Sequence, residues 1–279
     1  MERYIDLHTH SNNSDGSMTA AELVEHAKNS GLAAVALTDH DTIGGLAEAE
    51  ETAVRAGIEF VRGIELSAKS ETETHILGYF IDPKEQGLLK ALDEVKKARQ
   101  ERTLETSDIL KKLGMDVPME EVMAIAPSGI IGRAHFARVM MEKGYVASVK
   151  EAFDKYLANG KPAYCERQHL TDEQAVEIIK NAGGKAFLAH VHLTRKDGGE
   201  LINFLKRLKT AGLDGLEGYY SEYTPEMQEK YQKLARDMDL KICGGTDFHA
   251  DMKPHISIGK GLGNLRIPYS VLEELRIES

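Results

Sequence analysis

Tyr4-Ile5-Asp6-Leu7-His8-Thr9-His10 sets two imidazoles, two residues apart, at the end of a short apolar run, with Asp15 close behind. Successive side chains on an extended strand alternate faces, so His8 and His10 point the same way. The arrangement recurs downstream. Val35-Ala36-Leu37-Thr38 leads into Asp39-His40-Asp41, and Phe60-Val61-Arg62-Gly63-Ile64 leads into Glu65. Ala186-Phe187-Leu188-Ala189 leads into His190, and Ile242-Cys243-Gly244-Gly245 leads into Thr246-Asp247-Phe248-His249. His75 lies in a further short strand candidate with Ile76 and Leu77. Polar groups at the downstream ends of several strands imply one shared rim. That is the layout of a closed parallel β/α barrel, whereas an open sheet would gather its site at one switch crevice.

The segments between the runs carry helical spacing. Ala20, Leu23, Val24 and Ala27 recur at that spacing, Thr19-x-x-Glu22 matches a capping box, and Gly31 is a stop signal. A second helix is expected over 46–56, ended by Gly57 before the Glu65 strand. From about residue 86 the rhythm changes. Helical patterns at 88–113, 119–125, 133–143 and 149–158 follow one another with no convincing strand between them. Alternation then resumes with helices at 171–181 (Thr171-x-x-Gln174 is another capping box), 201–211 and 225–238, and with strands around 185–189, Gly215-Leu216-Glu217-Gly218 and 240–243. The expected organisation is a barrel of two parts, 1–85 and 163–279, interrupted by a helical insertion, a cap, at 86–162.

The chain has 279 residues and a formal net charge of -10, which argues against adhesion to duplex nucleic acid through a basic surface. A small nucleotide is not excluded, because bound cations reverse the field locally. Cys165 and Cys243 form no CxxC motif, and no apolar run approaches the roughly 18 residues of a membrane span. The chain enters the His8 strand without a signal-peptide apolar region, so a cytoplasmic protein is expected. The sequence does not fix an oligomeric state.

Nine residues offer strong ligand atoms: His8, His10, Asp15, His40, Glu65, His75, His190, Asp247 and His249. Mixed imidazole and carboxylate donors suit Mn, Fe or Zn. One ion needs about four to six ligands, so the surplus points to two or three ions, with a carboxylate such as Glu65 bridging. Neighbouring ions acidify a shared water and clamp the oxygens of an in-line displacement, which is chemistry suited to a phosphate ester.

His8-Thr9-His10, Thr38-Asp39-His40-Asp41, Gly63-Ile64-Glu65, Ala189-His190 and Thr246-Asp247-Phe248-His249 resemble, in order and spacing, the motifs of the PHP (polymerase and histidinol phosphatase) superfamily of metal-dependent phosphoesterases. The likeness runs from residue 1 to about 260. It implies an α/β fold, a distorted (β/α)7 TIM-like barrel carrying the all-helical insertion, and a trinuclear centre. On the same likeness one ion takes His8, His10, Glu65 and Asp247, a second takes Glu65, His75 and His190, and a third takes Asp15, His40 and His249. The insertion resembles that of a narrower group acting on nucleoside 3',5'-bisphosphates, some of whose relatives trim short RNA from its 5' end. There the segments matching Gly132-Arg133-Ala134-His135 and Gly160-Lys161-Pro162-Ala163-Tyr164 meet the substrate phosphate. Arg133 supplies a bidentate fork and Lys161 a point charge. His135 and Arg167 are further substrate-binding candidates. Where that family commonly has proline after the histidine of the Ala189-His190 motif, this chain has Val191 and then His192. His192 can reach the same rim, binding phosphate as an imidazolium or serving as the acid for the leaving group.

The expected activity is hydrolysis of a phosphomonoester on a small nucleotide, most of all the 3'-phosphate of nucleoside 3',5'-bisphosphates. A hydroxide bridging the metals is the nucleophile, and Asp15, His40, Glu65, His249 and His192 are the catalytic residues. Histidinol phosphate or another small phosphate, 5'-3' trimming of short RNA, and a non-catalytic metal-stabilised binding module are the alternatives. Plainer readings stand beside several residues. Asp39 is read as orienting a ligating imidazole, Asp41 as that or a helix start, and Cys243 as core. The Tyr219-Tyr220-Ser221-Glu222-Tyr223 cluster is read as either a base-stacking surface or rim packing.

Overall fold

Each apolar run of the sequence becomes a strand whose pleat decides which side chains face the site. The computed structural model describes residues 2–68, 74–125, 131–165 and 170–277. Its strands are β1 (Tyr4–Asp6), β2 (Ala34–Leu37), β3 (Glu59–Ser67), β4 (His75–Tyr79), β5 (Lys185–Leu188), β6 (Gly215–Tyr220), β7 (Lys241–Gly245) and the short β8 (Ile267–Pro268). They form one sheet in the order β7-β6-β5-β4-β3-β2-β1-β8. The sheet curls into a nearly closed barrel, for the Leu7 N–H donates to the Gly244 carbonyl at 3.2 Å and Thr9 bridges to Phe248. A Cβ on Gly245 would lie 2.2 Å from His8 Cβ and 2.3 Å from its backbone nitrogen. Glycine there is what lets the first and seventh strands meet.

Two features depart from the expected parallel (β/α)7 ring. β4 pairs antiparallel with both β3 and β5, although β1–β2, β2–β3, β5–β6 and β6–β7 are parallel. The stretch between Ser67 and His75 is too short for a parallel crossover, which needs about a dozen residues. The two-residue β8 is an unforeseen addition, pairing antiparallel with β1.

Ten helices are described: α1 (Ala20–Asn29), α2 (Leu46–Ala56), α3 (Gln86–Lys112), α4 (Met119–Ala124), α5 (Arg133–Glu142), α6 (Val149–Ala152), α7 (Asp172–Asn181), α8 (Gly198–Thr210), α9 (Pro225–Asp237) and α10 (Ser270–Arg276). Both expected capping boxes form, Thr19 with Glu22 and Thr171 with Gln174. Gly57 ends α2 in the left-handed conformation at φ 65°. The period-2 pleat splits the apolar residues between two clusters. Ile5, Leu7, Ala34, Ala36, Val61, Leu77, Tyr79, Phe187 and Cys243 fill the barrel interior, whose upstream end is closed by Val271, Leu272 and Leu275 of α10. Val35, Leu37, Ile64, Ile76, Leu188 and Leu216 face outward onto α1, α2, α7 and α8. Each fully buried Leu or Ile contributes about 1.5–3 kcal/mol.

The chain divides into two compact units, Met1–Leu92 with His169–Ser279, and Asp93–Gln168. The first holds the barrel. In the second, among the described residues, only helices occur. α6 runs into a π-helical turn at Phe153–Leu157, and Leu110, Val122, Phe136, Met140 and Leu157 form a core of their own. Among the described residues no helix is long and apolar enough to cross a membrane.

Candidate metal centre

Glu65 stands at the middle of the rim. It lies on the same inward face of β3 as Val61, and a bridge pairs it with His40 at the end of β2. Its Oε2 is 3.1 Å from His8 Nε2, 3.2 Å from His10 Nε2 and 3.1 Å from His40 Nδ1. Its Oε1 is 2.9 Å from His75 Nδ1 and 3.0 Å from His190 Nε2. One fully buried carboxylate thus touches five imidazoles. His75 arrives by an unexpected route. It is the first residue of β4, and because that strand runs antiparallel, its upstream end meets the downstream ends of the others.

Two further acids complete the cluster. Asp15 reaches His249 Nε2 at 3.1 Å and stands 3.8 Å from both His10 Nδ1 and His40 Nε2. Asp247 Oδ1 lies 3.6, 3.3 and 3.4 Å from His8 Nε2, His10 Nε2 and His249 Nδ1. All nine expected ligands therefore converge. Their grouping differs somewhat from the expected sets. Ligand atoms come within 4.8 Å of one another in three groups: His10, Asp15, His40 and His249; His8, His10 and Glu65; and His40, Glu65 and His75. His40 approaches Glu65 and His75, where His190 was expected as the third member, and His10 joins the Asp15 group.

The donor chemistry fits divalent cations. Among the described residues His10 Nδ1 and Nε2 and His40 Nδ1 are buried without an aligned hydrogen bond, a costly state that a cation would relieve. Burial and neighbouring charge pull the imidazoles apart. Burial disfavours the His10 imidazolium, but Asp247 and Glu65 outweigh it and hold the group up at about 9. For His40 burial prevails and lowers it to about 3. Burial would raise Glu65, yet His40, His8 and His75 keep it well below the usual carboxylate range.

Hydrogen bonds from buried acids shape the surrounding loops. Asp39 accepts from the Ser11 N–H and hydroxyl and from the Ser14 hydroxyl, each at 2.7 Å. Rather than orienting an imidazole, as expected, it builds the loop that presents Asp15. Asp41 accepts from the Ser67 N–H and hydroxyl and so anchors the end of β3. Asp6, which the sequence did not single out, accepts from the backbone N–H groups of Thr246 and Gly259 at 2.9 and 2.8 Å, tying β1 to the loop that bears Asp247. Lys253 was also missed, although its Nζ lies 2.6 Å from Asp247 Oδ2. Glu217 and Tyr220, read only as strand residues and rim aromatic, contact His8 and Asp247.

His192 lies beside the cluster, its ring 5.6 Å from that of Tyr220 and its Nε2 3.4 Å from Glu222. Burial lowers its proton affinity against the pull of Glu222, which weakens the expectation of a standing imidazolium. Tyr220 and Tyr223 are buried and pack together at 5.3 Å, so these two rings serve packing, not base stacking. Cys243 is core. In the helical unit Arg133 donates to the Leu157 carbonyl at 3.2 Å and its guanidinium lies 5.4 Å from the Tyr164 ring, against the turn that carries exposed Lys161. His135 Nδ1 accepts from the Gly132 N–H at 2.9 Å, which gives it a capping role at the start of α5. Arg167 lies outside the described residues.

A profile of the PHP domain matches residues 6–256. A 3',5'-nucleoside bisphosphate phosphatase from Chromobacterium violaceum is 36% identical over 250 residues, 88% of this chain and 87% of its own. A 5'-3' exoribonuclease from Haemophilus influenzae is 34% identical over 263 residues, 94% of this chain and 95% of its own. A crystal structure from Bifidobacterium adolescentis, described as a metal-dependent phosphoesterase, superposes with a TM-score of 0.83 at 27% identity, covering 98% of this chain and 95% of that one.

Proposed function

The chain belongs to the PHP domain family and is a metal-dependent phosphoesterase, a phosphoric ester hydrolase, and from that premise we propose that it releases the 3'-phosphate of nucleoside 3',5'-bisphosphates. The observation that carries the reading is the convergence of six imidazoles on Glu65, Asp15 and Asp247 in a chain 36% identical to a phosphatase named for that substrate. His8, His10, Asp15, His40, Glu65, His75, His190, Asp247 and His249 would hold two or three Mn, Fe or Zn ions. Such ions, when bound, supply Lewis acidity to phosphoryl oxygens and acidify water.

The chain's own residues do the rest. Asp15, half-exposed at the rim, and His249 face incoming substrate, while Glu65 fixes the spacing of the imidazoles around it. Arg133 grips the phosphate as a planar fork and Lys161 adds charge, with His135 and Arg167 as further contacts. His192, its Nε2 3.4 Å from Glu222, gives a proton to the leaving 3'-oxygen, with the Glu222 carboxylate opposing the burial that disfavours its imidazolium.

The test is phosphate release by metal-loaded protein from nucleoside 3',5'-bisphosphates, histidinol phosphate and 5'-phosphorylated short RNA at matched concentrations. The bisphosphates should have a kcat/KM at least about 100-fold above histidinol phosphate, because histidinol phosphate lacks the second phosphate and forfeits its charge-assisted contacts. No release from the bisphosphates overturns the proposal. The exoribonuclease relative favours one second reading, trimming of short RNA. Stepwise mononucleotide release from the RNA, faster than bisphosphate hydrolysis, would establish it instead.

A further inference from the structure

Among β1 to β7, β6 alone neither carries nor leads directly into one of the nine proposed ligands, although it lies between β5, which leads to His190, and β7, which leads to Asp247 and His249. Two of its side chains nevertheless reach the centre. Glu217, wholly buried, sets Oε1 3.0 Å from His8 Nδ1, and its Oε2 accepts the His190 N–H at 2.6 Å. The Tyr220 hydroxyl donates to Asp247 Oδ2 at 2.9 Å, the same oxygen that Lys253 contacts at 2.6 Å. Both residues so contacted, His190 through its N–H and Asp247 through its carboxylate, have backbones in the left-handed region, at φ 23° and φ 57°, where residues other than glycine are uncommon and need support from their surroundings.

We propose that β6 is the positioning strand of the centre: Glu217 sets the tautomer of His8 and the backbone of His190, and Tyr220 orients Asp247 through Oδ2 so that Oδ1 stays toward His8, His10 and His249. The inference rests on the metal-centre reading above. A proton on His8 Nδ1 directed at Glu217 leaves the Nε2 lone pair pointing toward Glu65 and the cluster, and a carboxylate behind an imidazole raises its basicity as a ligand. The residue at 217 must accept on both sides at once, from an imidazole N–H and a backbone N–H. A carboxylate does this with its two oxygens, whereas an amide would set an NH2 group against one of the two donors. Tyr220 and Lys253 together engage Asp247 Oδ2, so Oδ1 is the oxygen of that acid that would be offered to a cation.

Glu217→Gln and Tyr220→Phe, each nearly isosteric, test the proposal by metal affinity alone. Metal-free protein is titrated with Mn2+, and with Co2+ for its visible absorption, alongside thermal unfolding of the metal-free forms. Glu217→Gln should bind about 10–100-fold more weakly, and Tyr220→Phe about tenfold more weakly with an altered Co2+ spectrum, while both metal-free variants unfold within a few degrees of the unaltered protein. Unchanged affinity and spectrum in either folded variant overturn the inference. If Glu217→Gln does not fold, Tyr220→Phe, which keeps the buried ring, decides. Failure of the unaltered protein to take up either ion would instead remove the metal-centre reading itself.

Discussion

Glu65 touches five imidazoles without exposing any of its own surface, a density of charge-bearing groups that a fold carries only for chemistry. Such residues were legible in the chain, because histidines and acids rarely end apolar runs by accident. Asp15 is the best place to separate chemistry from stability, since its side chain is half-exposed and fills no core. Asp15→Asn should lower phosphate release about 100-fold or more, with an unchanged far-ultraviolet dichroism spectrum; turnover within a few-fold of the unaltered rate would place the reaction elsewhere. Arg133→Ala should raise KM about 10–100-fold while metal content, read by elemental analysis, stays the same. A loss of metal in that variant would contradict a substrate-binding role. Asp6 and Glu217 were not legible as site residues. A single acid inside a short strand reads the same whether it faces solvent or a buried donor, and only the assembled barrel reveals the donor.

At the scale of elements, the strand–helix rhythm and both capping boxes could be read locally, because caps and pleats are set by neighbours in sequence. The direction of β4 could not, since direction depends on where the chain returns, and with it came His75 at an upstream strand end. Closure at Gly245 was equally hidden. Gly245→Ala forces the new Cβ into the His8 backbone and should cost about 1–3 kcal/mol, seen in urea unfolding, with weakened metal uptake through the displaced His8; an unaltered midpoint would show that the first and seventh strands meet more loosely. The start of α7 offers a prediction on pH. Asp172 is buried, its Oδ1 lacks a hydrogen-bond partner among the described residues, and burial followed by the nearby Glu173 pushes it up from 3.8 to about 6. The folded chain holds this proton more tightly than the unfolded chain. Its contribution is therefore fully present below about pH 4 and is lost as pH rises through 6. Asp172→Asn should match the unaltered protein below pH 4 and exceed it above pH 6, by up to about 3 kcal/mol. A gain that is equal at all pH values would assign it to something other than ionisation.

For the molecule as a whole, motifs spread from residue 8 to residue 249 could announce a common rim only because their order is that of strands around a barrel. The helices of Asp93–Gln168 were legible as a change of rhythm, but roles for their basic residues were not, since single basic residues on helices carry no spacing signal. The nine proposed ligands all belong to the unit formed by Met1–Leu92 with His169–Ser279. Cations that bind the folded cluster and not the unfolded chain stabilise by mass action, about 2.7 kcal/mol at a concentration 100 times Kd. That corresponds to a rise in Tm of about 5–10 °C for a unit of this size. The gain should be unevenly distributed. Hydrogen exchange compared between chelator-treated and Mn2+-loaded protein should slow around residues 7–10, 38–41, 188–191 and 246–249, where the backbone carries the ligands, and stay nearly constant in α4 and α5, which carry none. Equal slowing in both units would mean that cations act on the chain through some route other than this cluster.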